Sequence, residues 1–374
     1  MNSTTCNRLP DGAAAPGAAA AAALPFAQAS HGRRAGLIDA IGGALDGART
    51  RLPGLAAADA GIGTDTALRQ HDTLRSWLRM LADALRRAEM AALTPSPDAV
   101  RTVPLGPVAA IGTHATAYGL AGVHAMAALA AGCPVLAASN RANVSSAMLA
   151  NLIDGALASC GLPKAVFTLV PGDDTAAAAL LGHHALRAAI SRDGGIPASA
   201  GGRLPLLDET DAREAAFILP GALNGRAEHL AALLLAHGVP GMLVAAVDGD
   251  GFVDLRETVA DVPGRFDEIP ASAVIEHPAR ARTHGAGLLV RCADCAELLA
   301  LAGALDPLPC ASLHLAPTDA ALAAGLLPAL ELLARHLHIN RFGGALLPTP
   351  AGAVDAIGRF RRPVFHHAAG RHWC

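Results

Sequence analysis

The side chains able to do covalent or metal chemistry are few, and they are scattered over 374 residues. Seven cysteines (Cys6, Cys133, Cys160, Cys292, Cys295, Cys310 and Cys374) are an odd number without framework spacing, which points to free thiols in a reducing cytoplasm. Cys292-Ala-Asp-Cys295 has the spacing of a redox or metal half-site. With no second pair, it reads as two cysteines flanking a strand end. Among the 16 histidines, His183-His184, His336-x-His338 and the tail His366-His367…His372…Cys374 are the candidates for metal binding. Residues at i and i+2 share a face only on a strand, and no carboxylate or cysteine accompanies these pairs at ligand spacing, so no metal site is expected. Lys164 is the only lysine, so any Schiff base or lysine clamp on a cofactor would have to come from it.

The composition narrows the partners. A net charge of −3 argues against a nucleic-acid or anionic-membrane surface. With 16% charged and 52% hydrophobic residues, most of the chain is expected to fold. Residues 13–24 are almost all alanine, interrupted by Pro16 and Gly17, and residues 1–30 are expected to be a flexible leader. Residues 102–140 carry no charge, but Pro104, Pro107, Pro134 and several glycines break them into pieces too short to span a membrane.

The elements that must position any site follow from periodicity. Residues 31–50 and 63–92 have apolar residues at helical spacing, with Arg75, Arg79, Arg86 and Arg87 on the outer face. Short apolar runs then alternate with helical stretches. Strands are expected at Pro107–Ile111, Pro134–Ala138, Ala165–Val170 and Ala188–Ser191, and helices at Gly119–Ala131, Ser145–Cys160 and Thr175–His183. The alternation means right-handed crossovers and a doubly wound, Rossmann-like parallel sheet, whose carboxyl-end crevice can take a small ligand. The second half repeats the pattern less regularly. Strands are expected at 216–219, 242–247, 287–291, 310–314 and 336–340, with helices at 225–236, 295–303 and 318–335. The charged, Pro- and Gly-rich stretch 248–285 reads as loop.

Several of these strands carry recognisable segments. Pro104-Leu-Gly-Pro-Val-Ala-Ala-Ile-Gly112, Ala127-Ala-Leu-Ala-Ala-Gly-Cys-Pro-Val135 and Cys160-Gly-Leu-Pro-Lys-Ala-Val-Phe-Thr-Leu-Val-Pro-Gly172 resemble the first three strand regions of the aldehyde dehydrogenase superfamily. Ala216-Phe-Ile-Leu-Pro-Gly-Ala-Leu223, Leu289-Val-Arg-Cys292 and Ile339-Asn-Arg-Phe342 follow in that family's order. The nearest branch is the one acting on 2-oxoglutaric semialdehyde. The resemblance implies a dinucleotide-binding-like domain at 31–215, a shortened catalytic-like α/β domain at 216–340, and a return and oligomerisation segment at 341–374. It also implies NAD or NADP as cofactor, and a homo-oligomer or a hetero-oligomer with a related active enzyme.

The family's chemistry needs a cysteine thiolate to attack the aldehyde, an amide to hold the oxyanion, a dinucleotide to take hydride and a carboxylate to activate water. By resemblance, Glu209 stands at the general-base position, in a stretch (Asp208, Glu209, Asp211, Glu214) that also reads as a solvated acidic loop. The nucleophile is expected near 241–247, yet no cysteine lies between Cys160 and Cys292. Thr113-His114-Ala115-Thr116 stands in place of the oxyanion asparagine, and His114 reads as a capping or packing residue. By resemblance, Ala138 takes the place of the family's lysine that binds the adenosine ribose, and Ala281 that of the ribose-binding glutamate of its later Phe-Gly-Pro motif. In Ser191-Arg192-Asp193-Gly194-Gly195, Arg192, Gly194 and Gly195 can present N–H groups to an anion, while Asp193 would repel phosphate. These losses point to a family member without cysteine-dependent oxidation, serving as a binding or scaffold protein. The alternatives are an atypical NAD(P)-dependent oxidoreductase using Glu209 as base, and a small-ligand binding module.

Overall fold

The computed structural model describes residues 14–92, 101–112, 122–139, 144–171, 174–191, 204–208, 214–237, 242–261, 266–281, 287–342 and 350–364. The chain forms two units, 1–210 with 348–374, and 211–347.

The first unit opens with four helices, α1 (Ala15–Ala27), α2 (His31–Gly47), α3 (Leu52–Ala60) and α4 (Thr64–Ala92). Strands and helices then alternate: β1 (Arg101–Pro104), β2 (Val108–Gly112), α5 (Val123–Ala131), β3 (Val135–Ser139), α6 (Val144–Ser159), β4 (Phe167–Pro171), α7 (Asp174–Gly182), β5 (Ala188–Ser191) and β6 (Leu206–Asp208). Strands β2 to β6 make one sheet in the order β4-β3-β2-β5-β6, with every neighbouring pair parallel. The period of two sorts their side chains into two cores. Val108, Ala110, Val135, Ala137, Phe167, Leu169, Ala188 and Ile190 meet α2, α4, α5 and α6. On the other face, Ala109, Ile111, Leu136, Ala138, Val170 and Ala189 meet α7 and the start of α1.

The alanine-rich stretch expected as a flexible leader therefore holds a packed helix from residue 15 onward. Alanine is the best helix former, and Pro16 sits in the first turn, where its missing N–H costs nothing. Small side chains let Ala15 and Ala19 approach the sheet closely, and Phe26 is completely buried. Composition alone hides this, because a low-complexity run looks the same packed or free.

The second unit contains β7 (Glu214–Ile218), α8 (Pro220–Leu223), α9 (Ala227–His237), β8 (Leu243–Val247), α10 (Asp250–Ala260), β9 (Phe266–Pro270), α11 (Ala271–Glu276), β10 (Gly287–Cys292), α12 (Cys295–Ala304), β11 (Leu308–His314), α13 (Ala320–Leu333) and β12 (Ala334–Ile339). Its six strands are parallel in the order β12-β11-β7-β8-β10-β9 and are packed on both faces. The stretch expected as loop supplies α10, β9 and α11. Phe252, Leu255 and Val259 give α10 a buried stripe at helical spacing, and β9 is an edge strand whose Asp267 and Glu268 stay exposed.

The C-terminal segment returns to the first unit as α14 (Pro350–Gly358) and β13 (Arg361–Val364), the latter antiparallel to β1. Among the described residues, no helix is long and apolar enough to cross a membrane.

Candidate functional site

In an open parallel sheet, ligands bind at the carboxyl ends of the strands, where the strand order reverses. In the first unit the chain runs β2 to β3 to β4 on one side and then crosses to β5 and β6 on the other, so the reversal lies between β2 and β5. Ile111 and Ser191 are register partners at that point. Arg192, Gly194 and Gly195 follow β5 directly, His114 follows β2, and Glu209 follows Asp208, the last residue of β6. All five lie outside the described residues.

The two positions that resemble the family's ribose contacts do lie within the described residues. Ala138 is buried on β3 among Ile111, Leu136, Val170 and Leu180, and Ala281 ends a short 3-10 turn, half-buried. Neither offers a polar group to a ribose, so these two positions do not fit a dinucleotide. Lys164 cannot substitute. It precedes β4, at the amino ends of the parallel strands, and its Nζ pairs with Asp154 Oδ2 at 3.2 Å.

The stretch where the family's cysteine is expected forms β8, whose Leu243, Val244, Ala245 and Ala246 are buried apolar residues. Burial pushes the Cys133 thiol up to about 11 and the Cys292 thiol to about 12. Burial also raises Cys310, with Glu214 adding to it, and raises Cys295, with Asp294 and Asp319 adding. A thiolate is the reactive form, and each of these environments disfavours it. Alkylation of the folded chain with iodoacetamide at about pH 8 should therefore label Cys133 and Cys292 about 100-fold or more slowly than a free cysteine. Peptide mass spectrometry reads this directly, and rapid labelling of either would show that its thiol is not held in the protonated form.

A polar constellation that the sequence reading missed lies within the second unit. Glu214, read as part of a solvated loop, is the first residue of β7 and only 1% exposed. Ser312 Oγ donates to its carboxylate from β11, a contact of the kind that a buried carboxylate needs. His314, two residues further along β11, is also buried and packs its ring 4.2 Å from that of Phe342. The available signal was the alternation Cys310-x-Ser312-x-His314 within an otherwise apolar strand. His336 and His338 stand opposite Cys310 and Ser312 on β12, the strand that their spacing required. Among the described residues, no three His, Cys, Asp or Glu side chains are placed to hold a metal ion.

This architecture has counterparts among known proteins. The model of the aldehyde dehydrogenase family matches residues 9–199, which includes α1 and most of the first unit. Alpha-ketoglutaric semialdehyde dehydrogenase 2 of Azospirillum brasilense is 28% identical, over 76% of this chain and 71% of that protein. Alpha-ketoglutaric semialdehyde dehydrogenase of Acinetobacter baylyi is 27% identical, over 57% of this chain and 45% of that protein. The solved structure of an NAD-dependent benzaldehyde dehydrogenase from Corynebacterium glutamicum superposes with a TM-score of 0.67 at 16% identity, covering 94% of this chain and 88% of the other. With more than half of its length matched by the family model and its parallel sheets reproduced in a solved member, the chain belongs to the aldehyde dehydrogenase family.

Proposed function

We propose that this chain is a family member that has lost cysteine-dependent aldehyde oxidation and acts as a binding or scaffold protein. The observation carrying this reading is the run without cysteine from 161 to 291, which includes all of β8. The raised thiols of Cys133, Cys292, Cys295 and Cys310 support it, because none is an activated substitute. Ala138 and Ala281 support weak or absent binding of NAD or NADP. A small molecule at the carboxyl-end crevice remains compatible with the sheet order. Association with a second copy, or with a related active enzyme, belongs to the same reading. Among the described residues, β12 stands last in the strand order of its sheet, and Leu332, just before it, is 88% exposed. Free thiols in Cys133, Cys160, Cys292, Cys295 and Cys310 support a cytoplasmic setting.

The relatives named as semialdehyde dehydrogenases favour one other reading, an oxidoreductase with Glu209 as general base. One experiment separates the two. NAD+ and NADP+ are titrated by calorimetry, and 2-oxoglutaric semialdehyde oxidation is assayed before and after alkylation and with Glu209→Gln. The expected result is no saturable binding at millimolar cofactor and no turnover above background. Saturable binding, with turnover that alkylation and Glu209→Gln both abolish, would establish the oxidoreductase instead.

A further inference from the structure

We infer that Arg34, beneath the end of α5, forms a binding site for a small oxyanion, a carboxylate or a phosphate. Arg34 lies in the first turn of α2 and is 2% exposed. Among the described residues its guanidinium makes no hydrogen bond and no ion pair, and its buried Nε has no partner. A guanidinium keeps its charge and has five N–H donors, so a buried one without an acceptor calls for a ligand.

The surroundings say what kind of ligand. Arg34 Nη1 is seated over Gly132, 2.8 Å from where a Cβ would stand, with Pro104 alongside. Gly132 has φ +97°, the left-handed turn that ends α5. That helix end attracts cations, but Arg361 already occupies it: its Nη1 donates to Ala131 O at 3.1 Å, and its Nε and Nη2 donate to Thr102. A helix terminus carries only about half a charge, so a second guanidinium there is not compensated. His31, Arg361, Cys133 and Glu89 are the titratable groups acting on Arg34 or its neighbour, and Glu89 is the one carboxylate among them. Burial and the adjacent Arg361 pull Arg34 down to about 10, against the smaller opposing effects of Cys133 and Glu89. The neighbouring Arg33 shows the contrast, since its guanidinium donates to Cys160 O and Gly161 O at the end of α6. Carboxylate and phosphate share the feature that answers Arg34, two oxygens able to face the fork of a guanidinium. Gly132 and Pro104 precede β3 and β2, so the site lies at the amino ends of the strands. It is therefore separate from the carboxyl-end crevice where a dinucleotide would bind.

Thermal unfolding of the full chain tests this in sodium phosphate, sodium acetate and sodium chloride at matched ionic strength. Phosphate or acetate should raise Tm saturably, by about 3 °C or more at a hundredfold excess over Kd, and chloride should not. The arm with the larger increment identifies the oxyanion class. Arg34→Met should abolish the increment and, in chloride, melt no lower than the parent, because an unpaired buried charge has been removed. Arg34→Lys should retain less than half of the increment, since it keeps the charge and loses the fork. Equal effects of all three salts, or an oxyanion increment that survives in Arg34→Met, would overturn the proposal. Should Arg34→Met fail to fold, calorimetric titration of the parent chain with inorganic phosphate and with acetate decides. One saturable site for either supports the site, and no heat of binding for both overturns it.

Discussion

Acidified from about pH 7.5 to about pH 4, the chain is expected to lose about 3 kcal/mol of stability through His314 alone. The imidazole is 2% exposed, and its Nε2 has no hydrogen-bond partner. Burial pulls it from 6.5 down to about 4, with Glu214 opposing the shift and Arg226 reinforcing it. The sign follows from proton binding. Between these two values the unfolded chain holds a proton on His314 that the folded chain does not, so each step toward acid favours unfolding. The contribution is intact above 6.5, declines as pH falls and is fully lost once pH is below the folded value of about 4. Urea unfolding of the parent and of His314→Leu at both pH values isolates the effect. The variant should show the smaller acid loss, by about 3 kcal/mol. Burial also lowers His71, in the first unit, but that shift is common to both chains and cancels. Equal acid losses in parent and variant would show that His314 is not the group responsible.

Trp77→Ala is expected to cost about 3–5 kcal/mol, the largest single-residue loss of packing in the first unit. Trp77 is 1% exposed on α4, in the core that also contains Leu37, Ile38 and Ile41 of α2 and Phe360. Two helices packed along their lengths cannot close around the lost indole without moving both, so the cavity term adds to the transfer term. Circular dichroism in urea measures the change without depending on the fluorophore removed. A loss under about 1 kcal/mol would mean that α2 and α4 collapse into the space.

Much of the fold was legible along the chain because periodicity is a local property. The strand–helix alternation from Val108 to Ser191 placed β2 to β5 within a few residues, and the uncharged strands implied a sheet covered on both faces. β6 was not legible, since three residues are too few to show a period. Charges at Asp250, Asp254, Glu257, Asp267 and Glu268 concealed α10 and β9, because an outer face is charged whether the backbone is regular or not.

The sequence by itself determined which chemical groups the chain has to use. A single lysine, alanine at 138 and 281, and no cysteine from 161 to 291 are limits that no packing can alter. Only the tertiary structure decided what environment the remaining groups enter. Arg33 and Arg34 are adjacent in one helical turn, yet one caps a helix end and the other is sealed in without a partner. Glu214 reads like its acidic neighbours and turns out to be held in the core by Ser312, nearly 100 residues away. The physical reason is that charge belongs to a side chain, whereas desolvation and hydrogen-bond partners belong to contacts between segments distant along the chain.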